Sequence, residues 1–99
     1  MPKKEKYKIQ LVSIVLPTYN EAENIVDLVK EIHKQIKYKK EILIVDDNSP
    51  DGTSNIVKKF KEKNKKINLK LETRYKNRGL TNSIKRGIEI AKGDVIVWM

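Results

Sequence analysis

Apolar runs and helical repeats alternate along the chain. Four short runs, rich in branched side chains, are typical of buried strands because they are apolar without a helical period. Between them, apolar residues recur every three or four positions, which indicates helices with one buried face. The strands are predicted at residues 11–17, 41–47, 67–73 and 94–99. The helices are predicted at residues 20–36, 53–63 and 80–92.

Turn and capping residues separate these segments. Asn20, followed by Glu23 three positions later, forms a capping-box pattern that predicts the start of the first helix. Pro50 and Gly52 favour a turn after the second strand, and Gly93 favours the end of the third helix. The predicted buried faces are Ile25, Leu28, Val29, Ile32 and Ile36 in the first helix, Ile56, Val57 and Phe60 in the second, and Leu80, Ile84, Ile88 and Ala91 in the third.

The order of these elements predicts an α/β fold. It is a Rossmann-like parallel sheet with helices on both faces, because each right-handed crossover covers one face. If the first three strands run outward and the fourth returns beside the first, the strand order is 3-2-1-4. Ligands of such sheets bind beyond the carboxyl ends of the strands, near the point where the order reverses. We therefore expect a crevice lined by residues 17–21, residues 46–51 and whatever follows Met99.

Length and charge narrow the class of protein. A chain of 99 residues supports a single domain, here with a polar lead-in at residues 1–9. The net charge of +9 comes mainly from lysines within residues 3–8, 34–40 and 58–70. Such lysines most often form a solvated surface, but they also suit an anionic membrane, a phosphate-bearing substrate or nucleic acid. Charge alone does not choose among these partners.

Other residue types exclude several kinds of site. There is no cysteine and a single histidine, His33, so any metal would need oxygen ligands. No apolar run reaches the roughly 20 residues that cross a bilayer, and the first residues lack the apolar core of a signal peptide. We therefore expect a cytoplasmic protein. After the first strand there is no G-x-G-x-x-G, which makes a nicotinamide cofactor an unfavoured interpretation.

Three aspartates follow the second strand in the segment EILIVDDNSPDGT. Asp46 and Asp47 would repel bare phosphate, but carboxylates suit base N–H groups, ribose hydroxyls or a hard cation such as Mg2+ or Mn2+. Tyr19 could stack on a nucleobase or on a sugar. The alternative is that Asp47 only caps a turn and Tyr19 only packs at the rim of the sheet. Asp51 is predicted to cap the second helix.

Three segments resemble a known enzyme family. VSIVLPTYNEAENI, EILIVDDNSPDGT and RGLTNSIKRGIEIAKGDVIVWM are similar, in order and spacing, to the opening of family-2 inverting glycosyltransferases with the GT-A fold. S-P-D-G-T followed by R-G-L is most similar to dolichol- or polyprenyl-phosphate mannose synthases. The resemblance implies that residues 1–99 are a single, partial GT-A domain that binds a nucleotide-sugar, with GDP-mannose favoured over a UDP-sugar.

The resemblance also implies roles for particular residues. Pro17, Tyr19 and Glu21 would contact the nucleotide from the first strand, while Val45 and Asp47 would hold the base and ribose. Asp46 would order the turn. The family pattern also implies that two basic residues, Arg74 and Arg78, bind the diphosphate of the nucleotide-sugar. The alternative is that both are solvated cations in a loop.

The rest of the family pattern lies outside these residues. In the family, a divalent cation, Mg2+ or Mn2+, is bound by an Asp-x-Asp motif that would follow Met99, so no catalytic or metal-binding residue is assigned within the chain. The implied acceptor is a polyprenyl or dolichyl phosphate at the cytoplasmic face of a membrane, and the implied partner is a C-terminal half that could pair with the fourth strand. The chain alone is then expected to bind nucleotide without transfer. The alternative is a non-catalytic basic module that binds nucleic acid or an anionic membrane surface.

Overall fold

The structure is a computed structural model that describes residues 8–99, so most of the polar lead-in lies outside the described residues. Within residues 8–99, four strands form one parallel sheet in the order β3-β2-β1-β4, as predicted. The strands are β1 (Val12–Thr18), β2 (Lys40–Asp46), β3 (Leu69–Thr73) and β4 (Val95–Trp98). The helices between them are α1 (Ile25–Gln35), α2 (Thr53–Lys63) and α3 (Leu80–Ile90).

The register of the central strands decides where the loops meet. β1 pairs with β2 along its whole length, from Val12 opposite Lys40 to Thr18 opposite Asp46. The two strands therefore end at the same level, and the loops that follow them lie side by side. β4 pairs only with the first half of β1, up to Val15 opposite Trp98.

The main hydrophobic core lies between one face of the sheet and helices α1 and α2. Ile14 and Leu16 of β1 contact it together with Ile42 and Ile44 of β2, because alternate residues of a strand point to the same face. Ile25, Val29 and Ile32 of α1 and Val57 and Phe60 of α2 complete it, as the helical spacing predicts. Leu28, predicted for the same face of α1, is instead exposed. Burial of each of these side chains contributes about 1.5–3 kcal/mol before the entropy of ordering is counted.

Helix α3 packs on the opposite face, and the face predicted for it is only partly correct, since Ile84 and Ala91 are half-buried. Leu80 and Ile88 are 63% and 45% exposed, and the buried residues are Ser83 and Gly87. A Cβ atom at residue 87 would overlap the side chain of Val15. Small residues therefore bring α3 close to β1, which a pattern of large apolar residues does not reveal.

Two predicted helix boundaries are also wrong. The capping box is absent, since Asn20 has a left-handed φ of 56° and α1 begins at Ile25 after a turn in which Glu21 O accepts the Asn24 and Ile25 N–H groups. Helix α3 ends at Ile90, before Gly93. Gly93 instead lies against β1, where an added Cβ would come within 2.8 Å of Leu11 O.

The edge strand β4 is exposed on both faces. Its residues Val95 to Trp98 are between 37% and 55% exposed, as expected for a strand that no described helix covers. Within residues 8–99, no helix is long and apolar enough to span a lipid bilayer.

Candidate functional site

The loops after β1 and β2 are joined by hydrogen bonds at the carboxyl end of the sheet. The Asp47 N–H donates to Thr18 O at 3.0 Å, and the Asn20 N–H donates to Ser49 Oγ at 2.9 Å. The Ala22 N–H donates to Asp51 Oδ2 at 3.0 Å. Two of the segments predicted to line a crevice are therefore held together where ligands of parallel sheets bind.

Asp46 orders the turn after β2. It is fully buried, and its Oδ1 accepts the hydroxyls of Thr18 and Ser49 at 2.7 and 2.6 Å. Its Oδ2 accepts the Ser49 N–H at 3.0 Å and the Ser54 hydroxyl at 2.8 Å. Burial alone would raise the pKa of Asp46, but these hydrogen bonds bring it below the ordinary value. Because both oxygens are already engaged, Asp46 acts in the turn and is not available to a ligand.

Asp51 connects the β1 loop to helix α2. Its Oδ1 accepts the Thr53 hydroxyl at 2.5 Å and the Thr53 N–H at 3.1 Å, and Thr53 is the first residue of α2. The N-cap residue is Gly52, without a side-chain cap, so Asp51 binds the first N–H of the helix from the position before the cap. The same carboxylate also holds Ala22. The hydrogen bonds, led by that from Thr53, lower the pKa of Asp51.

Asp47 differs from both neighbours because one of its oxygens is unpaired. Oδ2 accepts the Gly79 N–H at 2.7 Å, whereas Oδ1 is buried and has no hydrogen-bond partner within residues 8–99. Arg78 Nε donates to the backbone oxygen of Asp47 at 3.0 Å and lies 3.8 Å from Oδ1. Buried polar atoms without a partner are uncommon in folded proteins, and each requires an explanation.

Asp47 also lines a cleft of about 100 Å3. The Tyr19 ring is half exposed at the cleft, and the guanidinium carbon of Arg78 lies 5.9 Å from the ring centroid, within the range of a cation–π contact. A ligand at this position could donate to Asp47, stack on Tyr19 and place an anionic group near Arg78. The lining residues are Pro17, Thr18, Tyr19, Asp47, Leu80 and Ser83.

The remaining predicted ligands lie around the cleft without lining it. The Val45 side chain is fully buried within the sheet. The Glu21 N–H donates to Thr53 Oγ1 at 3.1 Å. Arg74 donates to the carbonyl oxygens of Lys76 and Asn77 at 3.4 Å and so lies within the loop that carries Arg78. The nucleotide-binding roles of these residues stay predictions.

Three cleft contributions were not predicted from the sequence. They are the Leu80 side chain, the Gly79 N–H that binds Asp47, and the buried residue Ser83. Ser83 precedes Gly87 by one helical turn, and two small residues at that spacing are a signal for close packing of a helix. No spacing rule brings the Gly79 N–H to an aspartate 32 residues earlier, because that contact depends on the strand order.

A family comparison identifies the class to which this arrangement belongs. A sequence profile described as "Glycosyl transferase family 2" matches residues 13–99. The chain belongs to glycosyl transferase family 2. The family resemblance of the P-T-Y-N-E and D-D-N-S-P-D-G-T segments is therefore confirmed.

Relatives within family 2 differ in what they make. The dolichol-phosphate mannosyltransferase of Pyrococcus furiosus is 40% identical over 89 residues, which is 89% of this chain and 24% of that protein. The poly-beta-1,6-N-acetyl-D-glucosamine synthase of Staphylococcus aureus strain COL is 35% identical over 93 residues, 93% of this chain and 22% of that protein. The chain thus spans about a quarter of the length of these relatives.

Solved structures show the same fold. The mannosyltransferase PcManGT from Pyrobaculum calidifontis, in complex with GDP-Man and Mn2+, has a TM-score of 0.81 and 30% identity over 91% of this chain and 26% of its own. Glucosyl-3-phosphoglycerate synthase from Mycobacterium tuberculosis, in complex with Mn2+ and UDP, has a TM-score of 0.72 at 18% identity, covering 91% of this chain and 33% of its own. The GT-A fold of this family-2 chain is confirmed.

The described side chains provide no cluster of ligands for a metal ion such as the Mn2+ of these complexes. Within residues 8–99, no three His, Asp or Glu side chains come together in a group that could hold a metal ion. The best-placed carboxylates, Asp46 and Asp51, already accept hydrogen bonds through both oxygens. These residues do not fit a cation site, so we derive no chemical step through a metal.

Proposed function

We propose that this chain forms the nucleotide-binding part of a glycosyltransferase that uses GDP-mannose as its donor and a polyprenyl or dolichyl phosphate as its acceptor. The similarity to the Pyrococcus furiosus dolichol-phosphate mannosyltransferase and to the GDP-Man complex of the Pyrobaculum calidifontis enzyme supports this choice of donor and acceptor. Such an acceptor would place the protein at the surface of a membrane. A divalent cation belongs to the proposed donor complex, as Mn2+ accompanies GDP-Man in the Pyrobaculum calidifontis structure, and no described side chain is assigned to it.

The observation that carries the proposal is the unpaired oxygen of Asp47. It is a buried acceptor, so the group that satisfies it must be a donor such as a base N–H or a ribose hydroxyl. It lies at the carboxyl ends of β1 and β2, beside an aromatic ring and an arginine. A nucleotide supplies all three complementary groups, namely the donor, the planar ring and the phosphate.

The roles of the flanking residues follow from this placement. Tyr19 presents a half-exposed ring on which a base or sugar can pack. Arg78, 44% exposed, can turn from Asp47 toward a diphosphate because its guanidinium is held by one backbone hydrogen bond and one long ion pair. These residues provide binding and orientation, and nucleotide binding is the activity we propose for this chain by itself.

A titration of the 99-residue chain with GDP and UDP tests the proposal. We expect GDP to bind more tightly than UDP, with little dependence on salt, and Asp47→Ala to weaken GDP binding by more than about tenfold because a charged acceptor is lost. Asp27→Ala is the matched control, since Asp27 is an exposed carboxylate on α1. Binding of neither nucleotide, or equal affinities of the two variants, would overturn the proposal.

A basic surface at the other end of the molecule favours a second candidate, an anionic macromolecule as partner. A depression of about 540 Å3 at the end of α2 is lined by Lys63, Lys65 and Lys66 together with His33. An unrelated oligonucleotide and vesicles of phosphatidylglycerol form the third and fourth arms of the titration. Binding of either that is lost between low and physiological salt, without any nucleotide preference, would favour this candidate over the first.

A further inference from the structure

Ser83 carries a buried hydroxyl that the structure leaves without a partner. The residue is 2% exposed, and its Oγ makes no hydrogen bond within residues 8–99. Three buried side-chain atoms in this part of the chain share that property: Asp47 Oδ1, Arg74 Nε and Ser83 Oγ. The residues that carry the first and the last of these atoms line the same cleft.

Packing alone does not explain the hydroxyl. Helix α3 needs a small residue at this position because it approaches the sheet closely, but alanine would meet that need without burying an oxygen. A serine inside a helix often donates to the carbonyl oxygen of the preceding turn. Here Gly79 O accepts the backbone N–H of Ser83 at 2.9 Å, while Oγ remains unpaired. A buried hydroxyl costs free energy until something binds it.

We propose that Ser83 Oγ and Asp47 Oδ1 form a two-point polar subsite in the cleft, which holds a ligand group that both donates and accepts a hydrogen bond. A carboxylate oxygen can only accept, so the ligand donates to Asp47. The Ser83 hydroxyl then donates to an acceptor of the same ligand group. Ser83 is thereby a binding residue that selects among ligands, and this role rests on the nucleotide-binding function proposed above.

Two parts of a nucleotide have this chemistry. A ribose hydroxyl donates through its hydrogen and accepts through its oxygen. The edge of a guanine or uracil base presents an N–H next to a carbonyl oxygen. The cleft, at about 100 Å3, has room for such a group rather than for a whole nucleoside, so the remainder of the ligand would lie across its mouth against Tyr19.

The test compares Ser83→Ala with Thr81→Ala in the 99-residue chain. Thr81 is an exposed hydroxyl residue on the same helix, outside the cleft. We expect Ser83→Ala to weaken GDP binding by about three- to tenfold, the usual effect of one hydrogen bond, and Thr81→Ala to leave it unchanged. Equal affinities of wild type, Ser83→Ala and Thr81→Ala would overturn the subsite while leaving the nucleotide-binding proposal intact.

Thermal unfolding separates binding from folding. Without nucleotide, we expect Ser83→Ala to melt at the same temperature as the wild type or higher, because it removes an unpaired buried oxygen. A variant that binds more weakly yet is at least as stable has lost a ligand contact. A lower melting temperature in the absence of nucleotide would show that the hydroxyl serves the fold, and would overturn the subsite.

Nucleotide analogues distinguish the two ligand groups. If the subsite holds a ribose hydroxyl, the corresponding deoxy-GDP should bind wild type and Ser83→Ala equally. If it holds the base edge, deoxy-GDP should keep the full difference between the two proteins. Both outcomes support the subsite. If wild type binds no nucleotide at all, the subsite and the proposed function fail together, whereas loss of the Ser83 effect alone removes only the subsite.

Discussion

Glu41 and Asp47 lie at opposite ends of β2, and both carry a carboxylate that is largely withdrawn from solvent. Glu41 is 1% exposed and accepts three hydrogen bonds, from the Ser13 hydroxyl at 2.5 Å, the Lys92 N–H at 2.6 Å and Lys70 Nζ at 3.0 Å. Asp47, with a side chain 15% exposed, accepts one at Oδ2 and none at Oδ1. The chain thus satisfies one carboxylate internally and leaves the other open toward a cleft.

The difference separates a structural group from a binding group. At the amino end of the sheet, Glu41 joins β1, β3 and the segment before β4 through partners that all belong to the chain itself. At the carboxyl end, the second acceptor of Asp47 has no hydrogen-bond partner within residues 8–99. Both residues are acidic and have side chains mostly withdrawn from solvent, so residue type alone does not tell them apart. The number of partners does.

The largest expected effect is a difference in stability between two variants. Glu41→Ala should lower the free energy of unfolding by about 3 kcal/mol, because it leaves the buried Ser13 hydroxyl without an acceptor, leaves the Lys92 N–H without its partner and removes the partner of Lys70. Asp47→Ala should lower it by less than about 1 kcal/mol, since Asp47 loses only one hydrogen bond at Oδ2 and a long ion pair with the half-exposed Arg78 at Oδ1. Urea unfolding measures both, with Glu62→Ala, an exposed residue on α2, as the control. Equal losses of stability for Glu41→Ala and Asp47→Ala would contradict the distinction between a structural and a binding carboxylate.

Acidification should reduce the stability that the hydrogen-bonded carboxylates of Glu41 and Asp46 give to the fold. Burial would raise the pKa of Glu41, but hydrogen bonds from Ser13, Lys92 and Lys70 lower it below the ordinary value, and the pKa of Asp46 is lowered in the same manner. A lowered pKa in the folded state means that the unfolded chain binds more protons, so the stabilisation is complete above the ordinary pKa of about 4 and is lost as pH falls below it.

Urea unfolding between pH 7 and pH 3 checks this dependence. Replacing Glu41 by Gln should give a protein that is less stable at pH 7 but loses less of its remaining stability on acidification, because one titrating group has been removed. Asp27→Asn, at an exposed position on α1, serves as the control and should follow the wild type. Parallel pH profiles for wild type and Glu41→Gln would show that Glu41 is not stabilised as a carboxylate.

The smallest expected effect on stability concerns Arg78, which lies beside Asp47 at the carboxyl end of the sheet. Its ion pair with Asp47 is 3.8 Å long and its side chain is 44% exposed, so Arg78→Ala should change the free energy of unfolding by less than about 1 kcal/mol. The same variant should bind GDP clearly more weakly, although its stability hardly changes. Arg78→Lys should restore part of the GDP affinity because it keeps the charge.

Lys85→Ala on α3 is the control for general loss of positive charge. If Lys85→Ala weakens GDP binding as much as Arg78→Ala does, the effect belongs to the net charge of the protein and not to the cleft. A loss of stability for Arg78→Ala as large as that for Glu41→Ala would show that Arg78 is a structural clamp on Asp47.

Much of the fold was predictable because it depends on local patterns. Four apolar runs and three amphipathic segments placed every strand and helix, and α2 was predicted with the boundaries that the structure has. The errors fall where tertiary contacts override local preference. Asn20 takes a left-handed backbone because its N–H reaches Ser49 on the neighbouring loop, so it does not cap α1.

The candidate site was predictable only in part, since its aspartates are adjacent in sequence but differ in surroundings. The prediction that Asp46 and Asp51 shape the turn is confirmed by their hydrogen bonds. The buried face predicted for α3 is wrong in part, because Leu80 and Ile88 are exposed while Ser83 and Gly87 pack against the sheet. Ser83 was therefore not considered as a site residue.

The sequence by itself determined the elements, their order and the family, because apolar periodicity and short motifs are properties of neighbouring residues. Only the tertiary structure decided which acid is satisfied and which is not. Asp46 and Asp47 differ by one position, and the pleat of β2 turns the first toward Thr18, Ser49 and Ser54 and the second toward Gly79 and the cleft. Those partners come from distant parts of the chain, and the order of the strands brings them together.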